Sequence, residues 1–282
     1  MGILTKAIAI AGFSAMTSLV SATPINLGAA GSYTLLSAGE QFPVGGTMVL
    51  GSEAQIWGDV GARNYLSTAP GVKIHGNLHG GYINASPGLV VDGETLELSD
   101  SEWDVIFSDL EAAVFSAASL GGSLLSSVNS TQVLTASGSG LDAFIIDGDI
   151  HLAGGDTLTL SGSAIDEFVI NITGNFFLGG GSAIQLDGVL SSNVLFNFLD
   201  IGCTANVAAG SFAGTYISSG CNWILGDGLI LAETQILAGN IPTANLQDVI
   251  GVPVTVAVPE PSSIVLMLMS LFGLTLIRKK TI

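Results

Sequence analysis

Positive charge is the scarcest property of this chain. Its 282 residues hold 6 Lys and Arg against 23 Asp and Glu. Four of the cations, Lys6, Arg278, Lys279 and Lys280, lie near the two ends. Residues 23–257 keep only Arg63 and Lys73, against every acid but Glu260, so 2 cations face 22 acids and the net charge there is −20. Such a surface repels nucleic-acid phosphates and anionic lipid, which excludes nucleic acid as a partner. It also leaves little with which to hold an acidic sugar. Hydrophobic residues are not scarce. At 48% they are enough to bury a core, where a weakly hydrophobic acidic chain would stay disordered.

Catalytic signatures are missing as well. No nucleophile elbow, phosphate loop or dinucleotide fingerprint occurs. Histidine is limited to His75, His79 and His151. His75 and His79 stand four apart, which suits a metal only on a helix. Gly76, Gly80 and Gly81 argue against a helix there. Asp142, Asp147, Asp149 and Asp156 could be imagined as an acid pair of the polysaccharide-cleaving kind, but nothing marks one of them as special. Gly154-Gly155-Asp156-Thr157-Leu158 is similar to a calcium-binding nonapeptide, yet it occurs once. Asp147-Gly148-Asp149 and Gly226-Asp227-Gly228 read as turns. The chain reads as a non-enzyme with no cofactor and no built metal site.

Long apolar runs occur only at the ends. Met1 to Ala22 has Lys6, an apolar stretch from Ala7 to Val20, and Val20-Ser21-Ala22, the three parts of a secretory signal peptide. At the other end, residues 258–282 read Val-Pro259-Glu260-Pro261, then an uncharged run from Ser263 to Ile277, then Arg278-Lys279-Lys280. The run of 15 is short for a full span, which takes roughly 20 residues. The basic cluster behind it would stay cytoplasmic. This order resembles the PEP-CTERM sorting signal of bacterial surface proteins. The resemblance implies an exosortase-type protease as partner and transient anchoring in the cytoplasmic membrane through a C-terminal transmembrane helix. A simple tail anchor is the alternative. Either way residues 23–257 form an exported ectodomain.

That ectodomain reads as mainly β. Short apolar runs such as Tyr33–Leu36, Met48–Leu50 and Gln55–Trp57 are divided by Gly, Ser, Ala and Pro. After residue 133 such runs recur with Gly or Asp-Gly between them: Ala143–Ile146, Thr157–Leu160, Phe168–Ile172, Phe176–Leu178, Ala183–Leu186 and Val194–Phe198. Phe212–Ile217, Asn222–Leu225, Leu229–Leu231 and Gln235–Leu237 continue the series. One segment differs. Trp103, Ile106, Phe107, Leu110, Val114 and Phe115 recur with the 3.6 period, behind a cap candidate at Ser101 and ahead of Gly121-Gly122. This predicts one long helix over residues 102–120, with a single apolar stripe to lay on a flat surface.

Evenly spaced short strands suit a sandwich, a barrel or a solenoid. Runs that return near 18 residues favour a parallel β-solenoid, with a sandwich as the alternative. Cys203 and Cys221, the only cysteines, are 18 apart. In an exported solenoid they would stack on adjacent rungs, near the ~4.8 Å strand spacing, within disulfide reach. Two buried free thiols are the alternative.

The order of motifs resembles the ice-binding-protein-like family of secreted β-solenoids. Asn26-Leu27-Gly28-Ala29-Ala30-Gly31-Ser32-Tyr33-Thr34-Leu35-Leu36 is similar to its opening, and Ile56-Trp57-Gly58-Asp59-Val60-Gly61 to its second signature. Glu102–Leu120 is similar to its long helix, and Phe168–Gly174, Asn193–Phe198 and Gly210–Thr215 to its later pattern. The resemblance implies an irregular right-handed parallel β-helix of triangular section with the helix along one face. Val194–Asn240 also resembles choice-of-anchor and collagen-binding-like domains of bacterial surface proteins.

An ice site needs a flat array of hydroxyl and methyl groups. Thr157 and Thr159, extended by Ser161 and Ser163, form the candidate ligand-binding face, although Thr-x-Thr does not recur from rung to rung. Glycosylation-like triplets begin at Asn84, Asn129 and Asn171. The expectation is an exported, surface-sorted binding or structural protein, placed at the cell surface or in the extracellular matrix. Ice binding is one specific form of it. An exopolysaccharide- or matrix-associated adhesin is the alternative, and a carbohydrate-active enzyme a third.

Overall fold

Every strand pairing among the described residues is parallel. Two-residue hairpin turns cannot join parallel strands, so the chain must coil to bring each strand beside the next. The computed structural model describes residues 23–40, 45–208 and 210–251. The expected signal peptide of residues 1–22 lies outside the described residues. So does the expected sorting segment with Pro259, Glu260, Pro261, Arg278, Lys279 and Lys280. Among the described residues no helix is long and apolar enough to cross a membrane.

The coil has three faces, as expected of a solenoid. The first face stacks Ser123–Val128, Leu141–Leu152, Glu167–Ile172, Val194–Phe198, Gly214–Leu231, Thr234–Ile250, Tyr33–Ser37, Asp59–Ala62, Leu78–Gly80 and Thr95–Glu97, in that spatial order. Its nine steps span roughly 43 Å at ~4.8 Å each. The order in space is not the order in sequence. The chain enters mid-stack at Tyr33 and coils to one end at Glu97. It then crosses to the far end and coils back until Thr234–Ile250 docks on Tyr33–Ser37. The two coiled halves meet on all three faces with no chain link between adjacent rungs, through Leu36↔Leu237, Met48↔Ile241 and Val249↔Ile56.

The crossing element is the helix Asp100–Ala118. Its 19 residues reach about 28 Å. It starts two residues before the expected bound, and the cap is Ser99, not Ser101. The Glu102 carboxylate accepts from the Ser99 N–H at 2.8 Å and from its hydroxyl at 2.7 Å, within a capping box. The buried stripe is Trp103, Ile106, Leu110, Ala113 and Ala117. It covers Leu36, Leu237, Ile217, Leu195 and Val169, the outward residues of the first face. The single apolar stripe of the sequence thus meets the flat surface it requires.

The interior is filled separately by Phe168, Phe176, Phe196, Phe198, Tyr216 and Trp223 among many aliphatics. Phe196 and Tyr216, paired across one rung step, stack at 4.7 Å. The repeat near 18 holds in only part of the coil. Phe144 pairs with Ile170 and Ile170 with Phe196, offsets of 26. Phe196 pairs with Tyr216, an offset of 20, and Val60 with Leu78, an offset of 18. Rung length varies because the corners differ in length, while the strand segments keep inward side chains in step. Strand ends also shift. Ala143–Ile146 lies within Leu141–Leu152, and Asn222–Leu225 and Leu229–Leu231 fall inside one continuous strand, Gly214–Leu231.

Corners are held by a device absent from the sequence reading. Asp59 Oδ1 accepts the Asn77 N–H at 2.8 Å, and Asn77 Oδ1 accepts the Glu94 N–H at 2.9 Å. Asp149, Asn175 and Thr204 repeat the arrangement at another corner. Each carboxylate or amide caps a backbone donor one rung away, where the ladder is interrupted. Gly76 precedes Asn77 because a Cβ there would lie 2.4 Å from the Gly58 carbonyl oxygen. Cys203 and Cys221 do form a disulfide at such a corner, with Cα atoms 4.6 Å apart, as the stacked-rung reading expects.

Candidate functional site

Thr157–Ser161 is the middle strand of a separate three-stranded sheet, between Gln132–Thr135 and Ala183–Asp187. Alternation turns Leu158 and Leu160 into the core and leaves Thr157, Thr159 and Ser161 partly exposed on the outer side. Neighbours across the sheet are Val133 and Gln185 beside Thr159, and Thr135 and Asp187 beside Ser161. Neither pairing carries a register shift. The outer groups therefore lie on a regular grid of about 4.8 Å by 6.6 Å.

Among the described residues no side chain accepts from the Thr157 or Thr159 hydroxyl. Ser161 Oγ donates to Asp187 Oδ2 at 3.1 Å. Ser163 does not join the array. It lies beyond the strand, and its hydroxyl donates to Asp166 Oδ2 at 2.7 Å to close a turn. The candidate face is thus Thr157, Thr159 and Ser161, with Val133, Thr135 and Gln185 as neighbours that sequence reading passed over. Period-2 alternation in Gln132–Thr135 was the available signal.

A second open face runs the length of the stack. Its outward column reads His151, Phe177, Asn206, Ile224, Thr243, Val49, Ser67 and Asn84. Register shifts break it around Asn222 and Ile224 and again between Met48 and Leu50. It is longer than the threonine sheet but less regular.

The other candidate groups are kept apart by the coil. His75 lies on an outer face, stacked on Trp57 at 3.9 Å with Nδ1 2.7 Å from Asp92. His79 lies on the helix side against Tyr33. His151 packs on Phe177. Among the described residues no three His, Cys, Asp or Glu side chains gather to hold a metal. The aspartates are struts: Asp142 accepts the Ser137 N–H, Asp147 the Thr173 hydroxyl, Asp149 the Asn175 N–H and Asp156 the Thr131 N–H. Asn171 is buried beneath the helix, which removes it as a glycan acceptor.

Solved structures share this architecture. An ice-binding protein from an Antarctic biological consortium aligns over 80% of this chain and 90% of its own, with TM-score 0.56 and 20% identity. This is the fold of ice-binding β-solenoids. The ice-binding protein of an Antarctic Flavobacteriaceae bacterium aligns over 83% of this chain and 50% of its own, at TM-score 0.58 and 19% identity. That of the Antarctic ascomycete Antarctomyces psychrotrophicus covers 81% and 98%, at TM-score 0.56 and 18% identity. At such identities the likeness is one of fold. No family model and no curated protein matches the chain.

Proposed function

We propose that this chain is an exported, non-enzymatic β-solenoid that binds ice through the sheet of Thr157, Thr159 and Ser161. The observation that carries the reading is an uncovered, unshifted array of threonine hydroxyls and methyls, on the fold that solved ice-binding proteins use. Ice presents a rigid lattice, so a preorganised grid loses little entropy on binding. The strong negative charge does not oppose it, because a water lattice carries no net charge.

Export, cleavage by an exosortase-type protease and residence at the cell surface complete the proposal, on the strength of the terminal segments. Adhesion to exopolysaccharide or matrix is the second reading. It is favoured by one observation: no threonine stands beside Thr159 on either flanking strand, where Val133 and Gln185 lie, and Ala183 stands beside Thr157. Ice-affinity partition of the oxidised protein decides between them. The wild type should enter growing ice, and a Thr157→Tyr, Thr159→Tyr variant should be excluded. A Ser67→Tyr variant on the longer face should behave as wild type. Exclusion of the wild type at high concentration would remove ice and leave matrix adhesion.

A further inference from the structure

The two ends of the stack are open in different ways. One outward column of the first face runs Leu124, Ile145, Asn171, Asn197, Ile217, Leu237, Leu36, Gly61, His79 and Leu96. Its two terminal members are exposed leucines, Leu124 at 70% and Leu96 at 42%. The terminal strands also expose Val133 and Val90. The helix does not cover these ends, since it lies along the side against the middle rungs. Each end strand therefore presents unpaired backbone groups beside apolar side chains, the arrangement that recruits another strand.

Charge distinguishes the ends. From Ala112 to Leu141 the chain has no Asp, Glu, Lys or Arg, and this stretch includes the whole Ser123–Val128 edge. The opposite terminal rung carries Asp92, Glu94 and Glu97. Two acidic ends repel each other, whereas a neutral end can meet an acidic one without that penalty. The molecule already contains such a junction. Thr234–Ile250 docks on Tyr33–Ser37 with no covalent link between the adjacent rungs, and it docks parallel and in register.

We propose that copies of this chain stack head to tail, the Ser123–Val128 edge of one copy pairing in parallel with the Thr95–Glu97 edge of the next. The stacking places Leu124 over Leu96 and continues the column across the joint. Because the contact is heterologous, it propagates as an open rod rather than closing as a dimer. The proposal is independent of what the outer faces bind.

Disulfide trapping of the full-length chain tests it. Leu124→Cys and Leu96→Cys are prepared separately, the second with a mass tag, and mixed under mild oxidation. Both sites are exposed, and circular dichroism checks the fold. Paired strands place Cα atoms within disulfide range. The mixed dimer should form at least tenfold faster than either homodimer. Wild-type protein should lengthen with concentration in sedimentation and scattering, at constant cross-section, and Leu124→Lys should abolish this. Homodimers of Leu124→Cys in excess would overturn the head-to-tail geometry. Trapping no faster than random collision, or a wild type that stays monomeric at every concentration, would overturn the stacking.

Discussion

The Tyr33 hydroxyl lies 2.7 Å from Nδ1 of His79, with the His79 ring edge-on to Tyr33 and Trp103 stacked on Tyr33. Burial pushes the Tyr33 phenol far above its ordinary range, with Asp59 and Glu102 adding to the effect. The phenol keeps its proton and donates. Nδ1 of a neutral His79 therefore accepts. Burial is also the largest influence on His79 and lowers its pKa from 6.5, against the opposing pull of Asp59, Glu102 and Glu94.

The pH dependence follows in sign. An unfolded His79 takes up a proton near pH 6.5, while the folded one resists it. Stability should be full above pH 6.5 and should decline as pH falls below it, until the folded pKa is passed. Melting temperatures of wild type and His79→Gln between pH 7.5 and 4.5 check this. The two curves should converge toward low pH, and parallel curves would remove His79 as the cause.

Gly76→Ala should cost about 1–3 kcal/mol, the usual price of overpacking. The new methyl would lie 2.4 Å from the Gly58 carbonyl oxygen, which is backbone and held by the rung below. Gly180→Ala is the control, because nothing lies within 4 Å of its Cβ position. It should be neutral or stabilising by up to about 1 kcal/mol. Urea midpoints separate the two.

The disulfide links rungs 18 residues apart. Loop closure of that length contributes roughly 3 kcal/mol. The double variant Cys203→Ser, Cys221→Ser, or reduction of the wild type, should lower the unfolding free energy by about that amount, read as a lower denaturant midpoint. The midpoint of the double variant should then be unmoved by reductant.

Asn197 Nδ2 donates to the Val114 carbonyl at 3.0 Å and to Asn171 Oδ1 at 2.7 Å, and Asn171 Nδ2 donates to the Ala117 carbonyl at 3.0 Å. These amides add side-chain donors to carbonyls in the last two turns of the helix and tie that end of it to the first face. Asn197→Ala should cost about 1–3 kcal/mol. A double-mutant cycle with Asn171→Ala should show coupling of at least 0.5 kcal/mol. Additive losses would mean that each amide acts alone.

Some of this was legible from residue order. Glycine between short apolar runs gives the coil, the period of 3.6 gives the helix, and the single cysteine pair gives a staple between rungs. The register was not, because corners of unequal length change the offset from 17 at Leu78↔Thr95 to 26 at Ile170↔Phe196 without altering any strand pattern. The cap was not legible either, because Ser99, the partner of the Glu102 carboxylate, sits outside the apolar period. Spacing alone groups Ser163 with Thr157, Thr159 and Ser161. Spacing says nothing about where a strand stops, and Gly162 and Asp166 end this one. The Gly-Asx corners at Asp59, Asn77, Asp149 and Asn175 are present as repeated dipeptides, of which only the one at Asp149 reads as a turn from sequence.

The order of the rungs has a consequence for synthesis. Among the described residues the last strand to leave the ribosome, Thr234–Ile250, is also the one lodged at the centre, with a neighbour on each side. Until it exists, the first half carries a raw upper edge and the returning half a raw lower one. Neither half can finish its sheet from its own sequence. The coil is closed by Thr234–Ile250, as a ring is closed by its last link, and a chain cut short before residue 234 should fail as a whole rather than lose one end.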